Sequence, residues 1–326
     1  MKLGKLTSEE LGRIVLSALV PRRDDVVLRP GIGIDCGGVK VGDAACVLST
    51  DPITAADRDA GWLAVHISCN DVAAAGAEPA GVLLTVLAPP DTRPEDVRRV
   101  IEDAQTAAAE VGVEIIGGHT EVTDAVRRMV LSATVMGKAP LGRVFSAAGA
   151  RAGDAIVMTK WAAIEGTMIL AADYRHLIAG ALIPEDEETL RGLREMLSVV
   201  PEGRAAAELA VTAMHDITEG GVLGALWEMA RASGCGACVD AERIPVLPCT
   251  RRICDRLGLD PFRLISSGSL LIAAPDGREI VDELGARGIS AAVIGRMTDR
   301  EITIRRGNEV LPVEPPGSDE LYRVIG

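Results

Sequence analysis

Four carboxylates in the first half of the chain, Asp35, Asp51, Asp71 and Glu121, sit where a chemical role is plausible. Asp35 follows the glycine-rich run Gly31-Ile32-Gly33-Ile34, and Asp51 stands just before Pro52. Asp71 lies in an almost wholly apolar stretch, and Glu121 follows Gly117-Gly118-His119-Thr120. Mg2+ takes oxygen ligands, usually a few carboxylates together with substrate phosphates, so the set suits a magnesium–nucleotide site. Gly31 and Gly33 would let the backbone come close to a polyphosphate and deliver Asp35 at the start of a strand, although the run also fits a flexible turn. It is neither a dinucleotide fingerprint nor a P-loop, because no helix follows and no Gly-Lys-Ser/Thr is present. Gly117 and Gly118 permit a tight backbone whose following polar group can point into a site; Glu121 alone also fits a solvated loop carboxylate.

The second half has one dense stretch, Met214-His215-Asp216-Ile217-Thr218-Glu219-Gly220-Gly221. It opens a helix with Val222, Leu223, Leu226, Met229 and Ala230 on its buried face. A glycine-rich helix entry leaves N–H groups unpaired and can receive an anion. The alternative is that His215 and Asp216 cap and brace that helix. Cys235 and Cys238 have redox or zinc spacing, with Cys249 and Cys254 as nominal partners, but the two pairs are not obviously aimed at one point. The acidic run 185–188 reads as a helix start favoured by the dipole.

The elements that must position these groups are legible in part. Residues 61–76 read as a helix buried on every side, since nearly all are apolar or small. A carboxylate there is costly unless paired, hydrogen-bonded or coordinated, so Asp71 needs a partner from elsewhere. Ser8 and Glu9 open a short amphipathic helix with Leu11, Ile14, Val15, Ala18 and Leu19 on one face. Gly42-Asp43 reads as a hairpin turn and Ala44 to Ser49 as a strand that stops near Asp51, because Pro52 cannot donate to a ladder. Residues 81–87 form an apolar strand. Thr92 and Glu95 have capping-box spacing before a helix striped by Val97, Val100, Ile101, Ala104, Ala108 and Val111. Strands follow at 114–116 and 129–136, and small and glycine residues at 140–153 mark a junction. The expected domains are 1–150 and 151–326. The second opens with a strand at 154–159 and a helix at 163–172; residues 264–275 read as a turn into a core strand, and 291–295 and 301–305 supply the last strands.

The chain has 326 residues, 48% hydrophobic and 25% charged, as in an ordinary globular protein. Aromatic content of 2% and a net charge of -13 argue against base-stacking and phosphate-backbone binding, so no nucleic-acid partner is expected. No signal-type run opens the sequence and no run approaches the ~18 residues of a membrane span, which predicts a cytoplasmic protein without a membrane partner. Seven cysteines, an odd number in a chain this large, fit reduced thiols better than a disulfide framework.

Gly-Ile-Gly-Ile-Asp-Cys at 31–36, Ser-Thr-Asp-Pro-Ile-Thr at 49–54, Asn-Asp-Val-Ala-Ala-Ala-Gly-Ala-Glu-Pro at 70–79, Gly-Gly-His-Thr-Glu at 117–121 and His-Asp-Ile-Thr-Glu-Gly-Gly at 215–221 occur in that order. Together they resemble the motifs of the aminoimidazole ribonucleotide synthetase superfamily, which includes thiamine-monophosphate kinase, selenophosphate synthetase and HypE-like hydrogenase-maturation proteins. The overall pattern is most similar to the HypE-like group. The resemblance implies an α+β, PurM-like fold, with an N-terminal α/β half forming a β-barrel across a homodimer and an α+β C-terminal half. It implies ATP bound with Mg2+ and activation or phosphorylation of a small acceptor. By motif, Asp35, Asp51 and Asp71 match metal-binding acids, Glu121 falls near the phosphates, and His215 and Asp216 match a catalytic motif. HypE-like proteins act on a modified cysteine at their own C-terminus, whereas the last cysteine here is Cys254. The competing expectations are a thiamine-monophosphate kinase-like phosphotransferase and a non-catalytic ATP-binding regulatory or scaffold paralogue.

Overall fold

A computed structural model describes residues 5–53 and 59–325. Thr54, the last residue of the second motif, lies outside the described residues, as do Met1 to Gly4 and Gly326. The chain forms two compact units. One comprises Asp24–Arg29 and Asp35–Val144; the other comprises Pro30–Ile34, the segment ending at Arg23 and the chain from Phe145 onward. The short leading helix and the glycine turn at 31–34 are therefore grouped with the second half of the sequence.

The leading segment is not the amphipathic helix its pattern predicts. Helix α1, Ser8–Glu10, is a single turn capped by Thr7 in a reciprocal box with Glu10. It widens into a π-type turn at Leu11–Val15 and tightens to a 3-10 turn at Leu16–Ala18. Ile14, Val15 and Leu19 are exposed, so no buried stripe is available to stabilise a regular helix.

The first unit is a six-stranded sheet in the order β1-β2-β3-β6-β4-β5. Its strands are β1 Val26–Leu28, β2 Gly37–Val41, β3 Ala44–Ile53, β4 Glu78–Ala88, β5 Glu114–Val122 and β6 Val130–Pro140. Helices α2, Ala60–Ala74, and α3, Pro94–Val111, pack against each other, and α2 lies on β3, β6 and β4. Alternation sets the inward face: Leu131, Ala133, Val135, Gly137 and Ala139 of β6 are buried while the residues between them are not, as expected for a half-covered strand. The predicted helix at 61–76 is α2, and Ile67 is its one residue that is not buried.

Three local expectations fail for tertiary reasons. Strand β3 runs through Pro52 to Ile53, paired with β6 up to Ile53↔Leu131. Its other neighbour, β2, reaches only Gly37↔Leu48, so Pro52 sits on an open edge where a missing N–H costs no ladder bond. Helix α3 is capped by Arg93 without a side-chain bond, and Pro94 occupies the first turn, where its fixed φ suits the helix; Thr92 and Glu95 form no capping box. Residues 117–121 are not a loop. They continue β5, parallel to β4, with Gly118 opposite Leu84 and Glu121 opposite Leu87. A Cβ at Gly118 would fall on the Leu84 carbonyl oxygen, so this glycine is required by close strand approach.

The second unit is a seven-stranded sheet, β13-β12-β9-β11-β7-β10-β8, antiparallel except for β12 beside β9. Its strands are β7 Ala155–Thr159, β8 Ala213–Ile217, β9 Gly236–Asp240, β10 Ser269–Ala274, β11 Ala291–Thr298, β12 Ile302–Arg306 and β13 Glu309–Pro312. Strand β13 has no counterpart in the sequence reading. The helices are α4 Ile164–Asp173, α5 Asp186–Gly192, α6 Val200–Ala206, α7 Gly221–Ala232, α8 Pro248–Leu257, α9 Gly277–Ala286 and α10 Tyr322–Ile325. Strands β8 and β10 are wholly buried. The main core joins them to α7 through Ile217, Leu226, Met229 and Leu271.

Gly61 in α2 sits where a Cβ would strike the Val100 carbonyl oxygen of α3. Gly61→Ala is expected to cost about 2–3 kcal/mol through overpacking, read as a lower urea midpoint at constant m. An unchanged midpoint would show that the α2–α3 contact can give way.

Candidate functional site

In the first unit the chemistry centres on α2 and the inward face of β3. Asp71 and Ser49 are each 4% exposed, and Ser49 Oγ donates to Asp71 Oδ2 at 2.5 Å. The same hydroxyl lies 3.5 Å from the Asp35 carbonyl oxygen, so backbone at Asp35 and carboxylate at Asp71 meet at one side chain. Strand alternation puts Val47, Ser49 and Asp51 on one face, the face on which α2 packs. Asp51 is half-buried and opposite Ala133 of β6. The outward Thr50 instead bonds Thr134 Oγ1 at 2.8 Å. Sequence and backbone thus bring Asp71, Asp51 and the Asp35 backbone to one side of the sheet. The Asp35 side chain is exposed.

Glu121 is not part of that group within the unit. It lies on edge strand β5, three strand positions from β3 in the order β3-β6-β4-β5, roughly 14 Å at the usual strand spacing. It also faces outward, on the same side as Leu87, and its Oε2 is 3.3 Å from His119 Nε2. Gly117 and Gly118 lie in this exposed strand as well.

In the second unit Gly31 and Gly33 frame a turn closed by the Ile34 N–H to the Gly31 carbonyl. Gly33 has φ +69°, and a Cβ there would lie 2.8 Å from Glu228 Cβ. Packing against α7 is reason enough for glycine at this position. Glu228 also binds His215: Nε2 to Oε2 is 3.0 Å. His215 and Asp216 are 4% and 2% exposed and, being consecutive on β8, point to opposite faces; His215 Nδ1 is 3.9 Å from Asp216 Oδ1. When Nε2 donates to Glu228, Nδ1 of the neutral ring is left as an acceptor, so Glu228 selects a tautomer able to take a proton.

Ser49 and Glu228 carry the geometry yet were not singled out as site residues. Ser49 could have been found from its position two residues before Asp51, and Glu228 as the lone acid in an otherwise buried helix face. All seven cysteines are free thiols; Cys249 and Cys254 are buried in the second unit, and burial pushes the Cys254 thiol up to about 12, so it is protonated and unreactive. The acidic run at 185–188 begins α5, as predicted, and its Asp186 carboxylate takes two hydrogen bonds from Arg252 of α8.

Removing the donor to a buried carboxylate costs the carboxylate's desolvation as well as the bond. Ser49→Ala is expected to lower stability by about 1–3 kcal/mol. A Ser49→Ala/Asp71→Asn cycle in urea unfolding should give a coupling of at least about 0.5 kcal/mol; additive effects would mean that the pair does not interact.

Family models of the AIR synthase related proteins match twice, the N-terminal domain over residues 33–139 and the C-terminal domain over residues 151–307. The carbamoyl dehydratase HypE of Cupriavidus necator is 33% identical over 278 residues, spanning 82% of this chain and 74% of that protein. A crystal structure of HypE in complex with ATP matches with a TM-score of 0.74 at 22% identity, covering 98% of this chain and 97% of that one. Thiamine monophosphate kinase from Aquifex aeolicus matches with a TM-score of 0.69 at 20% identity, over 93% and 98% of the two chains. At these identities the structural matches are likenesses of fold.

Proposed function

The chain belongs to the AIR synthase related proteins, and from that membership we propose that it is an ATP- and Mg2+-dependent enzyme that phosphorylates or activates a small acceptor. The observation that carries the reading is the buried Asp71 carboxylate, fixed by Ser49 beside Asp51 and the Asp35 backbone. These donors are all oxygens, the set a hard cation prefers. Asp35, Asp51 and Asp71 would hold the ion; when bound, Mg2+ would neutralise charge on the nucleotide phosphates. Residues 1–150 would bind nucleotide and metal, and residues 151–326 would supply His215 and Asp216. The ring held by Glu228 would accept a proton from the acceptor through Nδ1. The carbamoyl dehydratase relative favours an oxygen of an amide-type group as the atom that ATP activates; the kinase likeness favours a simple phosphoryl acceptor.

Glu121 is left without a metal role in a single chain. Its strand belongs to an outward sheet face with Leu48, Leu83 and Met136 exposed and, among the described residues, no helix of its own unit over it. An apolar sheet face of this kind is normally covered, and a second copy of the chain is our reading of what covers it. Glu121, Gly117 and His119 would then lie at or near the dimer surface.

Titration with ATP in the presence and absence of Mg2+ tests the site. Affinity should depend on Mg2+ and fall by more than about tenfold in Asp71→Asn, as expected for loss of a metal-holding group. Affinity indifferent to both would contradict the metal assignment. Tight Mg2+-dependent binding without turnover of any of thiamine phosphate, formylglycinamidine-type or carbamoylated-thiol acceptors would favour a binding protein over an enzyme.

A further inference from the structure

Glu165, the second residue of α4, is 4% exposed. Its Oε2 has no hydrogen-bond partner, nor has the Oγ of Ser267, which is 1% exposed. Both belong to the second unit and lie on a seam of three loops. Strand β10 runs antiparallel to β7 and β8, with Leu271 opposite Met158 and Ser269 opposite Ile217. The ends of β7 and β8 and the start of β10 therefore share one edge of the sheet. The loops leaving that edge are stitched together: the Ala163 N–H donates to Ser266 Oγ at 2.8 Å, the Gly166 N–H to the Ile265 carbonyl at 3.0 Å, and the Ser266 N–H to the Thr218 carbonyl at 3.2 Å. Asp319 completes the seam, its carboxylate accepting from the N–H groups of Gly220, Ile265 and Leu321 at 2.7, 3.2 and 2.9 Å.

The groups that face Glu165 are mostly acidic. Asp319 and Glu219 act on it as like charges, and Tyr322 lies within its influence. Lys5 acts on Glu219. On the helices packed against α4, Asp186 of α5 is paired with Arg252 of α8. An ionised carboxylate in such a place is strongly disfavoured. Burial first, and then the like charges of Asp319 and Glu219, push the Glu165 carboxyl up to about 7. A metal ion is a poorer answer than a proton. Asp319 already accepts three N–H bonds, and among the described residues these carboxylates do not converge as a metal-ligand set.

We propose that Glu165 is carried as a neutral carboxylic acid and works as a proton-dependent latch on the three loops that follow β7, follow β8 and precede β10. Protonated, it lets Asp319 and Glu219 stay close and the seam stay shut. Ionised, it repels both, and the seam loosens at 217–221, the loop that follows His215 and Asp216, and at 264–268.

The sign follows from the raised value. The latch contributes stability fully below the unfolded value near 4.5 and loses it as pH rises through about 7. Relative to Glu165→Gln, the wild-type folding equilibrium should fall by on the order of a hundredfold between pH 5 and pH 8. Amide exchange measured at both pH values, corrected for intrinsic rates, should quicken in 217–221 and 264–268 of the wild type at high pH and not in the variant. Should Glu165→Gln fail to fold, infrared titration of the wild type remains decisive: a protonated-carboxyl stretch should be present at pH 5.5 and bleach near pH 7. A pH-independent spectrum, equal exchange in both proteins, or a pH response abolished by adding Mg2+ or K+ alone would overturn the proposal, the last in favour of a bound cation.

Discussion

A carboxylate buried inside a helix constrains everything around it. Asp71 lies in α2, a helix with almost no polar face, and cannot be left without partners in such surroundings. The Ser49 hydroxyl meets it, and that bond sets several other features. Strand β3 must extend far enough along β6 to present Ser49 inward, which also turns Asp51 inward and Thr50 outward. The segment before β2 must pass close enough for the Asp35 carbonyl to approach the same hydroxyl. Helix α2 must lie close to the sheet, which Gly137 of β6 permits, since a Cβ there would meet the Val72 side chain of α2.

The second unit solves a parallel problem with different parts. His215 is buried on β8 and held by Glu228 of α7, while Gly33 lets the 31–34 turn pack against the same glutamate. The glycine turn thus braces the carboxylate that orients the imidazole. A glycine that looks like a phosphate cradle in the sequence has a packing role that is sufficient by itself; a nucleotide role for it stays a proposal. Glu165 and Asp319 show the other way a fold carries buried acids, one with three N–H donors and one without a partner for its second oxygen.

Much of this was legible from local pattern. The α2 helix, the 42–43 hairpin turn and the strands at 44–49, 81–87 and 154–159 announce themselves by composition and period. What failed was decided by residues far away in sequence. Residues 117–121 resemble a loop because they are glycine-rich and polar, yet parallel pairing with β4 makes them a strand, and pairing of that range leaves no local trace. Pro52 is tolerated because β2 is shorter than β3, again a tertiary fact. Glu121 looks equivalent to the other acids because spacing along a chain says nothing of which sheet face a residue occupies once a bulge intervenes, as Ile116 does in β5, where Val82 pairs with Ile115 and Leu83 with Gly117. Ser49 and Glu228 were missed because a hydroxyl and a half-buried acid are unremarkable until their partners are known.

The most direct measurement is anomalous diffraction from crystals grown with Mn2+ in place of Mg2+ and a non-hydrolysable ATP analogue. The account predicts a manganese peak at carboxylate coordination distance from Asp71 or Asp51, beside the nucleotide phosphates. Manganese bound next to the phosphates with none of Asp35, Asp51 and Asp71 among its ligands would contradict it.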